Sequence, residues 1–293
     1  MKVSPRCAPC ILYRGCMEAK RAGASQQVQF EVMKALLDFL SEEFTPDAVP
    51  AVLGTKRDRI VKRLTGNPDP YREAKLESDR RGLEILPLAR RLIEGEGTQK
   101  GRFRRACLCS IVGNVMEFDV LGHDFGYEGV KAAILDAERN LAIDDIPTLY
   151  EVAESAVNVM LLTDNAGEIA LDIPLVEELK RLGARVTVAV KGGPALNDAT
   201  MDDAVLVGVD RVADEVITTG TDTVGLILEE CPQEFLDVYH SADLIIAKGM
   251  GHLETLTEYK LHAPHAFLLH TKCETVAEYL GVDVKKNVVK VLQ

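Results

Sequence analysis

No stretch of this 293-residue chain is an apolar run long enough to span a bilayer. The opening Met1-Lys2-Val3-Ser4-Pro5-Arg6-Cys7 lacks the form of a secretory signal. A cationic excess is missing as well. Net charge is −12, with a sequence pI near 5.1. Nucleic-acid affinity rests on clustered Lys and Arg, so a phosphate-backbone binder is disfavoured, whereas a small phosphorylated ligand needs only one or two local cations. The seven cysteines are an odd number. Without an export signal they argue against a disulfide framework and for a reducing cytoplasm. No G-x-G-x-x-G follows the first strand of the α/β half, and no Walker A loop occurs, so a dinucleotide cofactor and P-loop chemistry are disfavoured. No serine sits in a nucleophile elbow, and the six histidines show no metal-ligand spacing. Internal repeats and low-complexity linkers are absent too.

What is present is an ordinary globular composition, 47 % hydrophobic and 27 % charged, in a chain long enough for one large domain or two modest ones. Residues 1–155 read as helical, with apolar residues at helical spacing over Val28–Leu40, Asp58–Leu64, Pro70–Ile93, Phe103–Phe118 and Tyr127–Asn140. Such helices pack as a bundle or a cap. Over 156–293 the rhythm changes. Short apolar or β-branched runs at Val157–Leu162, Arg185–Val190, Val216–Thr218, Leu244–Ala247, Ala266–Leu269 and Val288–Leu292 alternate with helical stretches. That alternation predicts a doubly wound, mostly parallel sheet. The expectation is thus an α/β protein with a helical domain over 1–155 and an α/β domain over 156–293. The boundary is a composition shift, so the two parts could share one core.

The strand ends carry the chemistry. The first run ends in Asp164-Asn165-Ala166-Gly167-Glu168. The second leads to Lys191-Gly192-Gly193-Pro194 and on to Asn197-Asp198-Ala199-Thr200. Later runs end in Lys248-Gly249-Met250-Gly251-His252 and in His270-Thr271-Lys272-Cys273. In a parallel sheet these carboxyl ends share one edge. Asp164, Asn165 and Asp198 offer hard oxygen ligands suited to Mg²⁺, Mn²⁺ or a similar ion. Gly167 lets backbone pass close to a ligand. Taken alone, Asp164-Asn165 with Glu168 would be a helix N-cap with its capping box. With Asp198 on the next loop, a cation site is the better reading.

Lys248, directly after its strand, is a candidate phosphate-holding charge, and Lys272 a second. His252 lies in the same loop as Lys248. Glu254 and Glu168 are candidates to orient a water. Asp164 follows its strand as a nucleophilic aspartate would, so a covalent aspartyl-phosphate is a further option. In the helical half, Asn114 and Glu117 share a helix face and could reach the site from the cap. Cys7 and Cys10 form a C-x-x-C, with Cys16 near and Cys107 and Cys109 further on. They could hold a second metal or be buried free thiols.

Together, the segments Asp164–Glu168, Asn197–Thr200, Lys248–Gly251 and Gly113-Asn114 resemble the damage-control phosphatase family, formerly a domain of unknown function, whose name also refers to a proposed protein-glutamate O-methyltransferase. The resemblance runs from the C-x-x-C to Lys272-Cys273, and the C-x-x-C points to the cysteine-bearing microbial branch. It implies a three-layer α/β/α sandwich with a helical domain. It implies a divalent cation (Mg²⁺, Mn²⁺, Co²⁺ or Ni²⁺) on Asp164, Asn165 and Asp198. It further implies phosphate hydrolysis from small phosphorylated metabolites such as sugar phosphates, with Lys248 on the phosphate. Glu117 and His252 depart from the family pattern, where Asp and Asn are expected, and bear on substrate choice. The alternatives are a carboxyl methyltransferase using S-adenosylmethionine, or a non-catalytic binder of metal or nucleotide. A homo-oligomer is left open.

Overall fold

A computed structural model of the chain describes residues 1–115 and 127–293; the side chains of 114–131 lie outside the description. The first half contributes α1 (Cys7–Arg21), α2 (Gln26–Glu43), α3 (Pro50–Thr65), α4 (Arg72–Glu94), α5 (Gln99–Val115) and α6 (Tyr127–Arg139). Next come β1 (Leu141–Asp144), α7 (Ile146–Ser155), β2 (Asn158–Leu162), α8 (Glu168–Arg181), β3 (Arg185–Val190), α9 (Met201–Val207) and β4 (Glu215–Thr218). The chain continues through α10 (Gln233–Ser241), β5 (Leu244–Lys248), α11 (Gly249–Leu256), β6 (His265–His270), α12 (Glu274–Leu280) and β7 (Asn287–Leu292).

The strands form one seven-stranded sheet in the order β1-β7-β6-β5-β2-β3-β4. The run β6-β5-β2-β3-β4 is parallel throughout, while β7 lies antiparallel to β6 and β1 pairs parallel with β7. The fold is therefore α/β with a mostly parallel sheet. The central strands read as unbroken apolar runs because both faces are covered. In β2, Val159 and Leu161 pack into a core shared with α4, α5, α7 and α8. Met160 and Leu162 pack into a second core with α10, α11 and α12. The alternation of side chains along each strand divides the molecule into its three layers. Helices α1, α2 and α3 pack around smaller apolar clusters of their own.

Two elements differ from the sequence reading. Leu141–Asp144, expected inside the helical half, is the edge strand β1, too short for its alternation to stand out against the helices on either side. Helix α3 begins at Pro50, two turns before the expected Asp58. Pro50 stands at its first turn, where no amide hydrogen is needed, and Ala51, Leu53 and Thr55 are buried there. The boundary expected at 155 falls between α7 and β2, and residues from both sides of it line the core on one face of the sheet.

None of the helices among the described residues is long and apolar enough to cross a membrane.

Candidate active site

The order of the strands makes a crevice. From β2 the chain moves outward through β3 to β4, then returns to β5 on the other side of β2 and moves on to β6. The connection after β2 runs over one face through α8, and the one after β5 runs over the other through α11. The carboxyl ends of β2 and β5 therefore part at a topological switch point, where doubly wound sheets bind ligands. Asp164 stands on one side of that gap and Gly249 on the other. Gly249 has φ +78°, and a Cβ there would lie 2.1 Å from the Asp164 Oδ2. Only glycine admits the carboxylate at this distance.

The turns after β2 and β3 are fastened to each other. The Ala166 N–H donates to the Asn197 carbonyl at 2.9 Å, and the Ala199 N–H to the Asp164 carbonyl at 2.8 Å. Asn165 and Asp198 form an isolated bridge between these backbone bonds. Asp164, Asn165 and Asp198 are thus brought together. The Asn165 amide nitrogen donates to Asp164 Oδ2 at 2.9 Å and to Glu168 Oε2 at 3.0 Å. Ligation of a cation would use the other end of that amide, its oxygen. Burial, then the charges of Glu168 and Asp198, hold the Asp164 carboxyl well above the usual range, against the pull of Lys248 and Lys272. Asp198 is pushed up to about 6 by burial, opposed by Lys191, whose ammonium lies 3.5 Å from its Oδ2.

These are carboxylate and carboxamide oxygens crowded by like charge, and a hard divalent cation among them would relieve the repulsion. Among the described residues, no three His, Cys, Asp or Glu side chains form a metal-holding group. A cation here would rest on two carboxylates, one carboxamide and water.

Lys248 is placed otherwise than the sequence suggested. It is fully buried, and its ammonium donates to Glu168 Oε1 at 2.6 Å, Asp172 Oδ1 at 2.7 Å and the Ser110 carbonyl at 3.0 Å. Burial alone would lower its pKa, but Asp172 and Glu168 carry it above the ordinary lysine value. An ammonium has three hydrogens, and all three point at protein oxygens. Lys248 therefore balances charge inside the protein and does not present itself to a phosphate. Lys272, the second cation of the sequence reading, is exposed after β6, and its charge reaches Asp164. It is the better placed of the two.

Three further expectations change. Glu254 faces the helical half. Burial raises it to about 7, and the charges drawing it back are those of Arg14, the amino terminus and Arg57, with the Ala51 N–H donating to it. The groups that act most strongly on Glu254 thus belong to the helical half, and no contact with Asp164 supports a water-orienting role for it. Both Glu168 oxygens are engaged, one by Lys248 and one by Asn165, so it holds the turn. His252 is buried, and its Nδ1 donates to the Lys248 carbonyl at 2.6 Å. Burial, with Lys191 nearby, lowers its pKa to about 3, so it stays neutral.

All seven cysteines are free thiols. Cys7 is buried at the start of α1, in hydrogen-bond contact with Ser4 and Thr275, while Cys10 is exposed. Cys107 and Cys109 lie in the sheet-facing core, where burial pushes the Cys109 thiol up to about 12. The two cysteine segments sit in different cores, so they do not complete a four-thiolate site. The Asn114 side chain and Glu117 lie outside the described residues. Gly113 packs on Glu168, where an added Cβ would meet its Cγ at 2.8 Å.

Sequence reasoning missed several buried polar residues around the crevice. They are Asp172 and Ser110 beside Lys248, and Lys75, Asp79 and Asp203 beneath the two turns, while Lys191, read only as part of a strand-end loop, lies beside Asp198. The one available signal was a set of charges at apolar-face positions, such as Lys75 and Asp79 one turn apart on α4. An open groove of about 870 Å³ continues along the same sheet edge, lined by Arg59, Lys62, Gly192, Gly193 and Asp222. Arg59 pairs there with Asp222 at 2.6 Å and Glu230 at 2.5 Å.

Residues 3–288 match the model of the damage-control phosphatase ARMT1-like domain. A damage-control phosphatase of Archaeoglobus fulgidus is 37 % identical over 294 residues, covering 100 % of both chains. A damage-control phosphatase of Pyrococcus horikoshii is 32 % identical, covering 96 % of this chain and 95 % of its own. The crystal structure of a DUF89 family protein from Pyrococcus horikoshii superposes with a TM-score of 0.88 at 32 % identity, covering 99 % of this chain and 98 % of that one.

Proposed function

Because this chain belongs to the ARMT1-like damage-control phosphatase family, we propose that it hydrolyses small phosphorylated metabolites with a divalent cation held by Asp164, Asn165 and Asp198. The observation that carries this reading is the crowding of oxygens at the switch point. Two carboxylates and a carboxamide from neighbouring turns converge beside the charge of Lys272. A divalent cation at these oxygens would polarise a phosphoryl group and make water a better nucleophile at neutral pH.

The residues of the chain supply the rest. Lys272, exposed on the edge, attracts the phosphoryl oxygens and offsets the negative charge they bring. Helix α11 starts at Gly249 against the Asp164 carboxylate, so the positive end of its dipole faces the same gap. Lys191 keeps Asp198 ionised and fixes its direction. Glu168 and Asp172, paired with Lys248, anchor the start of α8 and hold the Asn165 amide in place. The groove past Arg59 and Lys62 gives room to the leaving group, which meets charged side chains and backbone there but no aromatic surface.

The test is phosphate release from p-nitrophenyl phosphate and a panel of phosphometabolites in Mg²⁺, Mn²⁺, Co²⁺ or Ni²⁺, before and after chelation. Turnover is expected to require the cation. Asp164→Ala and Asp198→Ala are each expected to lower kcat at least about a hundredfold, the scale on which electrostatic groups act in a transition state. Full activity after chelation and dialysis would remove the cation from the mechanism. Wild-type rates in both variants would leave these residues as caps.

A further inference from the structure

The buried face of α4 changes character along its length. Its later part is apolar, with Leu86, Ala89 and Ile93 in the core. Its first turns instead bury Lys75, Ser78 and Asp79, followed by Gly82. These polar residues touch the two turns that carry Asp164, Asn165 and Asp198.

Asp79 Oδ1 accepts the Gly167 N–H at 2.7 Å. This amide stands at the start of α8, where helices leave N–H groups without partners inside the helix. Contact there is close on both sides. A Cβ on Gly167, whose φ is +78°, would lie 2.6 Å from the Ser78 carbonyl oxygen, and one on Gly82 would lie 2.4 Å from the Gly167 carbonyl oxygen. One turn earlier on α4, Lys75 donates to Asp203 Oδ2 at 2.9 Å and to Thr200 Oγ1 at 3.3 Å. Asp203 Oδ2 in turn accepts the Thr200 N–H at 2.7 Å and its hydroxyl at 2.6 Å, closing a capping box two residues after Asp198. One helix of the N-terminal half thus grips both turns through buried hydrogen bonds, of which that from Lys75 to Asp203 is charge-assisted.

An apolar face on α4 would cover these turns without desolvating a lysine and an aspartate. It would not fix the direction of the Gly167 amide or the Thr200 cap. We propose that Lys75 and Asp79 are positioning residues of the site, setting the spacing of the β2–α8 and β3–α9 turns so that Asp164, Asn165 and Asp198 meet at one cation. This rests on the reading of those three residues as cation ligands. Groups that orient metal ligands act on affinity as well as on rate.

The experiment compares wild type with Asp79→Ala, Asp79→Asn and Lys75→Met. Each is titrated calorimetrically with Mn²⁺ alone, assayed for kcat on p-nitrophenyl phosphate, and melted in EDTA as a folding control. Asp79→Ala and Lys75→Met are expected to weaken Mn²⁺ binding about tenfold to a hundredfold, with a fall in kcat. Asp79→Asn keeps an oxygen for the Gly167 N–H and is expected to stay close to wild type. Wild-type Mn²⁺ affinity in folded Asp79→Ala, with only a lower melting midpoint in EDTA, would make the contact scaffolding and overturn the proposal. Asp79→Asn as impaired as Asp79→Ala would overturn it too. If Asp79→Ala does not fold, Lys75→Met decides, and wild-type affinity there overturns it. Failure of the wild-type protein to bind Mn²⁺ would instead overturn the cation reading on which the proposal rests.

Discussion

Glu18 shows how far a side chain of this protein departs from its behaviour in water. It is fully buried on α1, with the Arg57 guanidinium at 3.3 Å and the Asp58 carboxylate beside it. Burial, then the hydrogen bond and charge of Asp58, raise its pKa to about 9 from an ordinary 4.5. The folded state therefore keeps a proton that the unfolded chain releases. Stability linked to this group is full below about pH 4.5 and is lost as pH rises through about 9. Glu18→Gln imitates the protonated form, so its urea midpoint is expected to fall less between pH 5 and pH 9 than that of wild type. Parallel pH profiles of the two would contradict this. Burial also explains which residues could be read in advance. Asp164, Asn165 and Asp198 stand just past strand ends, where polar residues break an apolar pattern. Glu18 sits on a helix whose other face is polar too, and Lys75 and Asp79 are marked only by their spacing of one turn on α4, which does not by itself tell a buried charge from an exposed one.

Among the elements, the end of β5 is the fastening point. Lys248 joins β5 to α8 through Glu168 and Asp172, and to α5 through the Ser110 carbonyl. The Ser110 hydroxyl donates to the same Asp172 oxygen at 2.6 Å. Lys248→Met would leave two buried carboxylates without their counter-ion. It is expected to destabilise the fold by about 3–5 kcal/mol, measured by urea unfolding, because stranding a buried charge costs far more than a surface pair contributes. A loss below about 1 kcal/mol would show the pair to be dispensable. The sequence placed Lys248 correctly at the end of a strand but pointed it at a ligand. Its partners lie 76, 80 and 138 residues away in the chain, so no local pattern could reveal them.

For the whole molecule, cation binding and folding should be linked. A ligand that binds only the folded state stabilises it by about 2.7 kcal/mol at a hundredfold excess over its Kd. Mn²⁺ is therefore expected to raise the melting midpoint of wild type by several degrees and to leave Asp164→Ala nearly unmoved. Equal shifts in both would place the cation elsewhere. Such linkage would span both halves of the chain, since α4 and α5 close over the start of α8, which leads away from the turn carrying Asp164 and Asn165.

The alternation of strands and helices, the polar breaks at strand ends and the glycines beside them were set by the sequence alone, because side-chain periodicity and backbone sterics act over a few residues. They sufficed for the α/β class, the shared edge and the expectation that Asp164, Asn165 and Asp198 come together there. The order of the strands was decided only in three dimensions. It puts β5 next to β2, so that Gly249 meets Asp164, and it lays α4 across two turns that lie about 90 and 125 residues further along the chain. Long-range pairing and the burial of charge against charge depend on which surfaces meet. That is a property of the packed chain and is not carried by any one stretch of it.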